Sequence, residues 1–172
     1  TGAGGDHGRL LLPGELQEAV VSPPGPDSDP IGQLAERRFG HRYLYPIQRY
    51  VISNLLEARD QIVILPTGGG KSLCFQLASQ LLDGVTVVVV PLLALLEDQL
   101  RQCRQAGLRA AALRGGQSAV ERRRLAAELA TGEVRLVYAT PEALLQERGA
   151  EVFAGVGVAA LVVDEAHCIA EW

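Results

Sequence analysis

The sequence has 172 residues, of which 48% are hydrophobic, which is enough for one sizeable core in a single domain. A net charge of -4 and an isoelectric point near 5.4 do not indicate the strongly basic surface that is usual in nucleic-acid-binding domains. No apolar stretch is long enough to cross a bilayer, and no secretory signal is read at the start, so we expect an intracellular, soluble protein with no membrane partner.

Residues 1–30 are predicted to be a flexible, Gly/Pro-rich lead-in or linker, because the segment from Ser22 to Pro30 cannot hold a helix or a strand ladder. Residues 31–172 alternate helical and strand patterns, which predicts an α/β domain with a parallel sheet and helices on both faces. The predicted helices are Ile31 to Arg38, Pro46 to Ala58, Lys71 to Leu82, Leu92 to Ala106, Ser118 to Thr131 and Pro141 to Glu147. The predicted strands are Gln61 to Leu65, Val85 to Val90, Arg109 to Leu113, Val134 to Tyr138 and Val158 to Val163.

A glycine-rich loop follows the first predicted strand. The segment from Leu65 to Ser72 reads LPTGGGKS. Successive glycines let backbone N–H groups converge on phosphate oxygens, Lys71 supplies a positive charge, and the Ser72 hydroxyl is a Mg²⁺ ligand. The loop precedes a predicted helix, whose N-terminus favours anions. This pattern predicts a nucleoside triphosphate site, although Leu65 stands where the general phosphate-loop pattern has glycine.

Two carboxylates follow the last predicted strand. The apolar run from Val158 to Val163 suits a strand buried on both faces, and it is followed at once by Asp164 and Glu165. The carboxyl ends of parallel strands face the ligand crevice of an open α/β sheet. We therefore expect Asp164 to hold Mg²⁺ and Glu165 to orient or deprotonate the attacking water.

Cysteine usage gives no indication of a metal site. Cys74, Cys103 and Cys168 are odd in number and widely spaced, which supports neither a disulfide framework nor a zinc site in this segment. Cys74 is predicted to be a small core residue on the helix after the loop.

Two long segments resemble motifs I and II of the RecQ family of superfamily 2 DNA helicases, which are DEAH-box proteins. They are Pro66 to Gln76, which reads PTGGGKSLCFQ, and Asp164 to Trp172, which reads DEAHCIAEW. Superfamily 2 helicases commonly lack the leading glycine, which accounts for Leu65. Between the two segments, Val90 to Gln99 resembles motif Ia and Tyr138 to Leu144 resembles motif Ib.

The resemblance covers about residues 31–172 and implies a RecA-like P-loop domain with ATP and Mg²⁺ as cofactors. It implies that Lys71 contacts the β- and γ-phosphates, that Ser72 and Asp164 bind Mg²⁺, that Glu165 acts on water, and that Thr67, Gly68, Gly69 and Gly70 contribute mostly backbone donors. Phe39 to Gln48 is similar to the RecQ adenine-recognition motif, in which Gln48 pairs with the adenine edge. His41 and Tyr45 replace an aromatic hydroxyl and an arginine of that motif, so the chain resembles a divergent member.

For the complete protein, the resemblance implies ATP-driven 3′ to 5′ translocation on single-stranded DNA and unwinding of duplex DNA. Thr140 and Pro141 are the implied DNA contacts of motif Ib. His167 is expected to relay the nucleotide state toward DNA contacts, the alternative being a local hydrogen bond. Trp172 is expected to stack on a base, the alternative being core packing. DNA repair and recombination are the processes expected of the family, in the cytoplasm, nucleoid or nucleus.

The sequence ends at Trp172, directly after the motif II resemblance. In ATPases of this class the next strand inserts between the phosphate-loop strand and the Asp-Glu strand. We therefore expect the domain to be incomplete at its C-terminus and a second RecA-like domain to be a missing partner, so that this chain alone does not unwind DNA.

Two alternatives remain open. One is an RNA helicase of the DEAD/DEAH type, against which the residues after Lys71 and after Asp164 favour RecQ. The other is a non-catalytic nucleotide-binding remnant, against which the presence of Lys71 and Glu165 argues.

Overall fold

The computed structural model describes residues 29–66, 68–146 and 148–171, without the side chains of residues 170 and 171. The chain divides into two compact units, residues 1–74 and residues 75–172. The predictions for residues 1–28, for Thr67 and for Trp172 lie outside the described residues.

The first unit contains helices α1 (Pro30–Phe39) and α2 (Pro46–Leu56) and the beginning of α3 (Lys71–Leu81). Both α1 and α2 have proline at a first-turn position, where its missing N–H costs no hydrogen bond. Gly40 ends α1 in the left-handed conformation, with φ 69°. The predicted starts and ends of α1 and α2 agree with the structure to within two residues.

The prediction of a strand from Gln61 to Leu65 is wrong, because the structure assigns no strand to residues 61–66. A strand requires a hydrogen-bonded ladder, and this segment makes none with the described strands. The segment still shows a period of two, since Ile62 and Ile64 are 89% and 85% exposed whereas Val63 and Leu65 are half-buried. The sequence shows the alternation of side chains, but it does not show whether a neighbouring strand is present to form a hydrogen-bonded ladder.

The second unit is built on a sheet of four parallel strands, which confirms the predicted fold class. The strands are β1 (Val85–Val89), β2 (Ala110–Leu113), β3 (Leu136–Ala139) and β4 (Val158–Val163), in the order β2-β3-β1-β4. The further helices are α4 (Leu93–Gln105), α5 (Ala119–Ala130) and α6 (Pro141–Leu145), with 3-10 helices at Ala150–Phe153 and Ala166–Glu171.

Helices cover both faces of this sheet. Val137 and Ala139 of β3 pack in a buried apolar cluster with Leu125 and Leu129 of α5. Tyr138 points to the opposite face, as neighbouring strand residues must, and contacts side chains of α3 and α4. Among the helices that the structure describes, none is both long enough and apolar enough to cross a membrane.

The prediction that the last strand is buried on both faces is wrong. β4 lies at one end of the described sheet and pairs with β1, and Val158, Leu161 and Val163 are 49%, 65% and 37% exposed. An apolar run indicates a strand that other elements can cover, but the pattern does not specify which elements these are. β4 is therefore an edge strand of the described sheet.

Candidate functional site

The glycine loop of the first unit has a backbone that residues other than glycine rarely adopt. Gly68 and Gly70 have φ values of 78° and 77°, in the left-handed region. Gly69 N donates to Pro66 O at 2.9 Å and closes a tight turn. The run of glycines therefore meets a conformational requirement of this loop.

The three glycines differ in the space around them. A Cβ at Gly70 would lie 2.3 Å from Gln48 Nε2, and a Cβ at Gly69 would lie 2.9 Å from Pro66 O. A Cβ at Gly68 would meet nothing within 4 Å. Gly68 is thus required by its backbone angle alone, whereas Gly70 is required by both its angle and its neighbour.

Lys71 begins α3 directly after the loop, so the glycines lead into the N-terminus of a helix, the end that favours anions. Lys71 Nζ donates to Leu65 O at 3.2 Å, which folds the ammonium back over the loop. Lys71 is also the only lysine in the sequence. Ser72, the predicted Mg²⁺ ligand, is the next residue of the helix and is half-buried. A loop with left-handed glycines, an ammonium and a helix N-terminus fits a phosphate group.

Gln48 of α2 contacts this loop directly. Its Nε2 donates to Gly69 O at 3.2 Å, and its Oε1 accepts from Tyr45 N at 2.9 Å. An amide nitrogen carries two hydrogens and an amide oxygen has two lone pairs. These contacts use one donor and one acceptor position of Gln48, which is 4% exposed, and its pairing with an adenine edge stays a prediction.

An ion pair that was not predicted from the sequence joins α2 to the start of α1, at the residue next to Gln48. Arg49 Nη1 and Nη2 donate to the two carboxylate oxygens of Asp29 at 3.0 and 2.7 Å, and Asp29 also accepts from Gly32 N at the start of α1. The hydrogen bond from Arg49 lowers the pKa of Asp29 below its ordinary value. An Asp before a helix-starting Pro-x-Gly was the available signal, but its arginine is twenty residues away.

In the second unit, predicted site residues follow β3 and β4, the two strands that pair with β1 on either side. Asp164 N donates to Val89 O at 2.9 Å, and Val90 N donates to Ala139 O at 2.9 Å. Asp164, Val90 and Thr140 therefore follow β4, β1 and β3 at the same carboxyl edge of the sheet. Ligands of open α/β sheets bind outside this edge.

The acidic turn after β4 has an unusual backbone. Glu165 has a φ of 51°, which is rare for a residue with a Cβ. Glu165 N donates to Asp164 Oδ1 at 3.0 Å, and Glu165 O accepts from Cys168 N at 2.9 Å. His167 Nδ1 lies 3.4 Å from Glu165 Oε2, and its side chain is 76% exposed. His167 thus lies near a local carboxylate, while both its relay role and the alternative of a local hydrogen bond stay predictions.

Thr140 and Pro141 start α6. Thr140 is 8% exposed and its carbonyl oxygen accepts from Ala143 N, while Pro141 occupies the first helical turn and is buried. Both residues therefore stabilise this helix start. Cys74 is buried as predicted, and burial raises the pKa of its thiol to about 11.

The structure thus brings Gln48, Gly69, Gly70 and Lys71 together in the first unit, and Thr140, Asp164, Glu165 and His167 to one sheet edge in the second. Each group has a coherent chemistry. The first offers backbone donors and one ammonium to an anion, and the second offers two carboxylates to a cation and to water.

Comparison with known proteins agrees with this chemistry. Residues 45–172 match the family model of the DEAD/DEAH box helicases. The chain is 39% identical over 148 residues to an ATP-dependent DNA helicase RecQ of Synechocystis sp., a match that covers 85% of this chain and 31% of that protein. It is 41% identical to the probable ATP-dependent DNA helicase RecS of Bacillus subtilis, over 78% of this chain and 27% of that protein.

A larger relative is the bifunctional 3′-5′ exonuclease/ATP-dependent helicase WRN of Mus musculus, at 35% identity over 96% of this chain and 12% of that protein. The chain therefore spans less than a third of the length of these relatives. It belongs to the DEAD/DEAH box helicase family and is a RecQ-like helicase motor domain.

Proposed function

We propose that this chain is the ATP-binding first motor domain of a RecQ-like DNA helicase, that ATP is hydrolysed with Mg²⁺ in the full-length protein, and that this chain alone is inactive. The observation that carries the proposal is the backbone of the glycine loop, in which left-handed Gly68 and Gly70 lead directly into the helix that begins at Lys71. This geometry, together with the family, supports a triphosphate-binding role.

In this proposal, Lys71 contacts the β- and γ-phosphates and the loop N–H groups hold the phosphate oxygens. Ser72 and Asp164 hold Mg²⁺, which when bound neutralises charge that develops on the phosphates. Glu165 accepts a proton from the attacking water or orients it. Gln48 recognises the adenine edge.

For the complete protein, we propose translocation on single-stranded DNA in the 3′ to 5′ direction and unwinding of duplex DNA ahead of it. Thr140, Pro141, His167 and Trp172 are the proposed DNA-contact and coupling residues. We propose that a second RecA-like domain is required, so that this chain alone does not unwind. An intracellular location stays a prediction.

Two substitutions separate binding from chemistry. Lys71→Ala should weaken ATP binding, because it removes the ammonium. Glu165→Gln should retain ATP binding and abolish turnover, because it keeps the shape and hydrogen-bonding oxygen but cannot accept a proton. ATP affinity of the 172-residue chain and ATP hydrolysis by the full-length protein are the measurements. Unchanged hydrolysis in Glu165→Gln would refute the role of the carboxylate.

The single lysine allows a direct test of the loop. An amine-directed ATP analogue should label the 172-residue chain at Lys71 and the terminal amine only, and excess ATP should protect Lys71. Labelling of Lys71 that ATP does not reduce would contradict the proposed site. Stimulation of ATP hydrolysis by single-stranded DNA rather than RNA would favour the DNA helicase over an RNA helicase.

A further inference from the structure

A hydrogen-bonded cluster of polar side chains joins three elements of the second unit. Gln76 of α3 donates through Nε2 to Tyr138 OH at 2.9 Å and to Gln99 Oε1 at 3.2 Å. Tyr138 OH of β3 in turn donates to Gln99 Oε1 of α4 at 3.3 Å. We refer to Gln76, Gln99 and Tyr138 as the polar triangle, because each member contacts the other two.

Two members of the polar triangle are buried, and Gln99 is half-buried. Tyr138 is fully buried and Gln76 is 4% exposed, and Cys103 Sγ lies 3.6 Å from the Tyr138 hydroxyl as a further neighbour. Burial raises the pKa of both the Tyr138 phenol and the Cys103 thiol, so both groups stay neutral at physiological pH. The cluster therefore fixes positions and does not transfer protons.

Polar contacts in this location have a geometric consequence that apolar packing lacks. Apolar burial has no direction, whereas a hydrogen bond weakens steeply with distance and angle. Buried apolar side chains of the same two helices surround this region of the core, among them Leu77 and Ala78 of α3 and Leu96 and Leu100 of α4. The polar triangle therefore fixes the register of two helices and a strand that apolar contacts alone would leave adjustable.

Each member comes from a different helicase-like segment. Gln76 is the last residue of the segment that resembles motif I, and it shares α3 with Lys71. Gln99 is the last residue of the segment that resembles motif Ia. Tyr138 is the first residue of the segment that resembles motif Ib, two residues before Thr140.

We propose that the polar triangle couples the nucleotide-binding helix to the segments that resemble motifs Ia and Ib, the second of which carries the proposed DNA contacts Thr140 and Pro141, with Gln76, Gln99 and Tyr138 as positioning residues. The inference rests on the proposed function, since it requires both ATP and DNA as ligands. A displacement of α3 on nucleotide binding must either move α4 and β3 with it or break the two hydrogen bonds that Gln76 makes to Gln99 and Tyr138. In both cases the segments after β1 and β3 respond to the nucleotide.

The test compares three variants with a matched control in the full-length protein. Tyr138→Phe removes one oxygen, and Gln76→Met and Gln99→Met remove an amide at nearly constant volume. Gln80→Met is the control, because Gln80 lies one turn further along α3 and its amide donates to the neighbouring Ser79 hydroxyl at 3.0 Å, outside the polar triangle. The readouts are ATP affinity without DNA, the KM for ATP, kcat, and the stimulation of kcat by single-stranded DNA.

We expect Tyr138→Phe, Gln76→Met and Gln99→Met each to reduce stimulation by DNA about fivefold or more, which is the lower end of typical coupling between sites. ATP affinity without DNA should stay near that of the wild type. The Gln76→Met/Tyr138→Phe double variant should lose no more than the worse single variant, because both changes break one network. Gln80→Met should behave as the wild type.

A purely structural role would lower the melting temperature and leave stimulation by DNA unchanged, and that result would overturn the inference. Should Gln76→Met fail to fold, Tyr138→Phe decides alone. A wild-type protein that binds no ATP would refute the proposed function and the inference with it. If the wild-type protein binds ATP and all three variants are stimulated by DNA as strongly as the wild type, the inference is refuted and the proposed function stands.

Discussion

Replacing Gly70 by alanine should weaken ATP binding more than the same change at Gly68. Both residues have φ near 78°, and this conformation costs a residue with a Cβ roughly 1–2 kcal/mol. Only at Gly70 would the new Cβ also meet Gln48 Nε2, at 2.3 Å. Moving Gln48 away breaks its hydrogen bond to Gly69 O, which is worth roughly 0.5–1.5 kcal/mol.

If binding requires this loop conformation, Gly70→Ala costs about 1.5 to 3.5 kcal/mol, or roughly 10- to 400-fold in affinity. Gly68→Ala costs the strain alone, or roughly 5- to 30-fold. Calorimetric titration of the 172-residue chain with Mg-ATP measures both. In a Gln48→Ala background, where the clash is absent, Gly70→Ala should cost no more than Gly68→Ala.

Equal losses at Gly70 and Gly68 in the wild-type background would refute this reasoning. They would mean that Gln48 moves aside without cost, so that its bond to Gly69 does not constrain the loop. Melting temperatures of the same variants show whether the strain is expressed in folding instead of binding.

Two further predictions concern stability. The ion pair with Arg49 lowers the pKa of Asp29, so the contribution of the pair to the free energy of unfolding is complete above the ordinary carboxyl pKa of 3.8 and is lost as the pH falls through the lower pKa of the folded protein. Denaturation curves at several pH values should show that Asp29→Asn removes this part of the acid sensitivity. An unchanged pH dependence in Asp29→Asn would contradict the prediction. Thr86 Oγ1 is buried without a hydrogen-bond partner among the described residues, and an unsatisfied buried hydroxyl costs roughly 1–3 kcal/mol. Thr86→Val should therefore raise the melting temperature. A lower melting temperature would show that the hydroxyl has a partner.

Features that depend on neighbouring residues in the sequence were predictable. The run of glycines indicated the loop before α3, prolines marked the starts of α2 and α6, and the alternation of patterns indicated a parallel sheet. These signals are local, because steric limits on φ and the loss of an N–H act within a few residues.

Features that depend on distant partners were not predictable. Residues 61–65 have the pattern of a strand, but a ladder needs a second strand that the pattern does not name. The exposure of Leu161 has the same origin, since an apolar run does not say what covers it. The contact of Gln48 with Gly69 spans 21 residues, and that of Gln76 with Tyr138 spans 62. The periodicity of a sequence does not indicate which residues so far apart will be in contact.

The turn at Glu165 is held by residues close to it in the sequence, and its side chain carries the proposed chemistry. Its left-handed backbone costs of order 1–3 kcal/mol, and it is held by the Asp164 carboxylate and by the Cys168 N–H, both within three residues. Neither hydrogen bond uses the Glu165 side chain. Glu165→Gln therefore changes the carboxylate and leaves the bonds that hold the turn, so a loss of hydrolysis in that variant reports the missing proton acceptor and not a collapsed strand end.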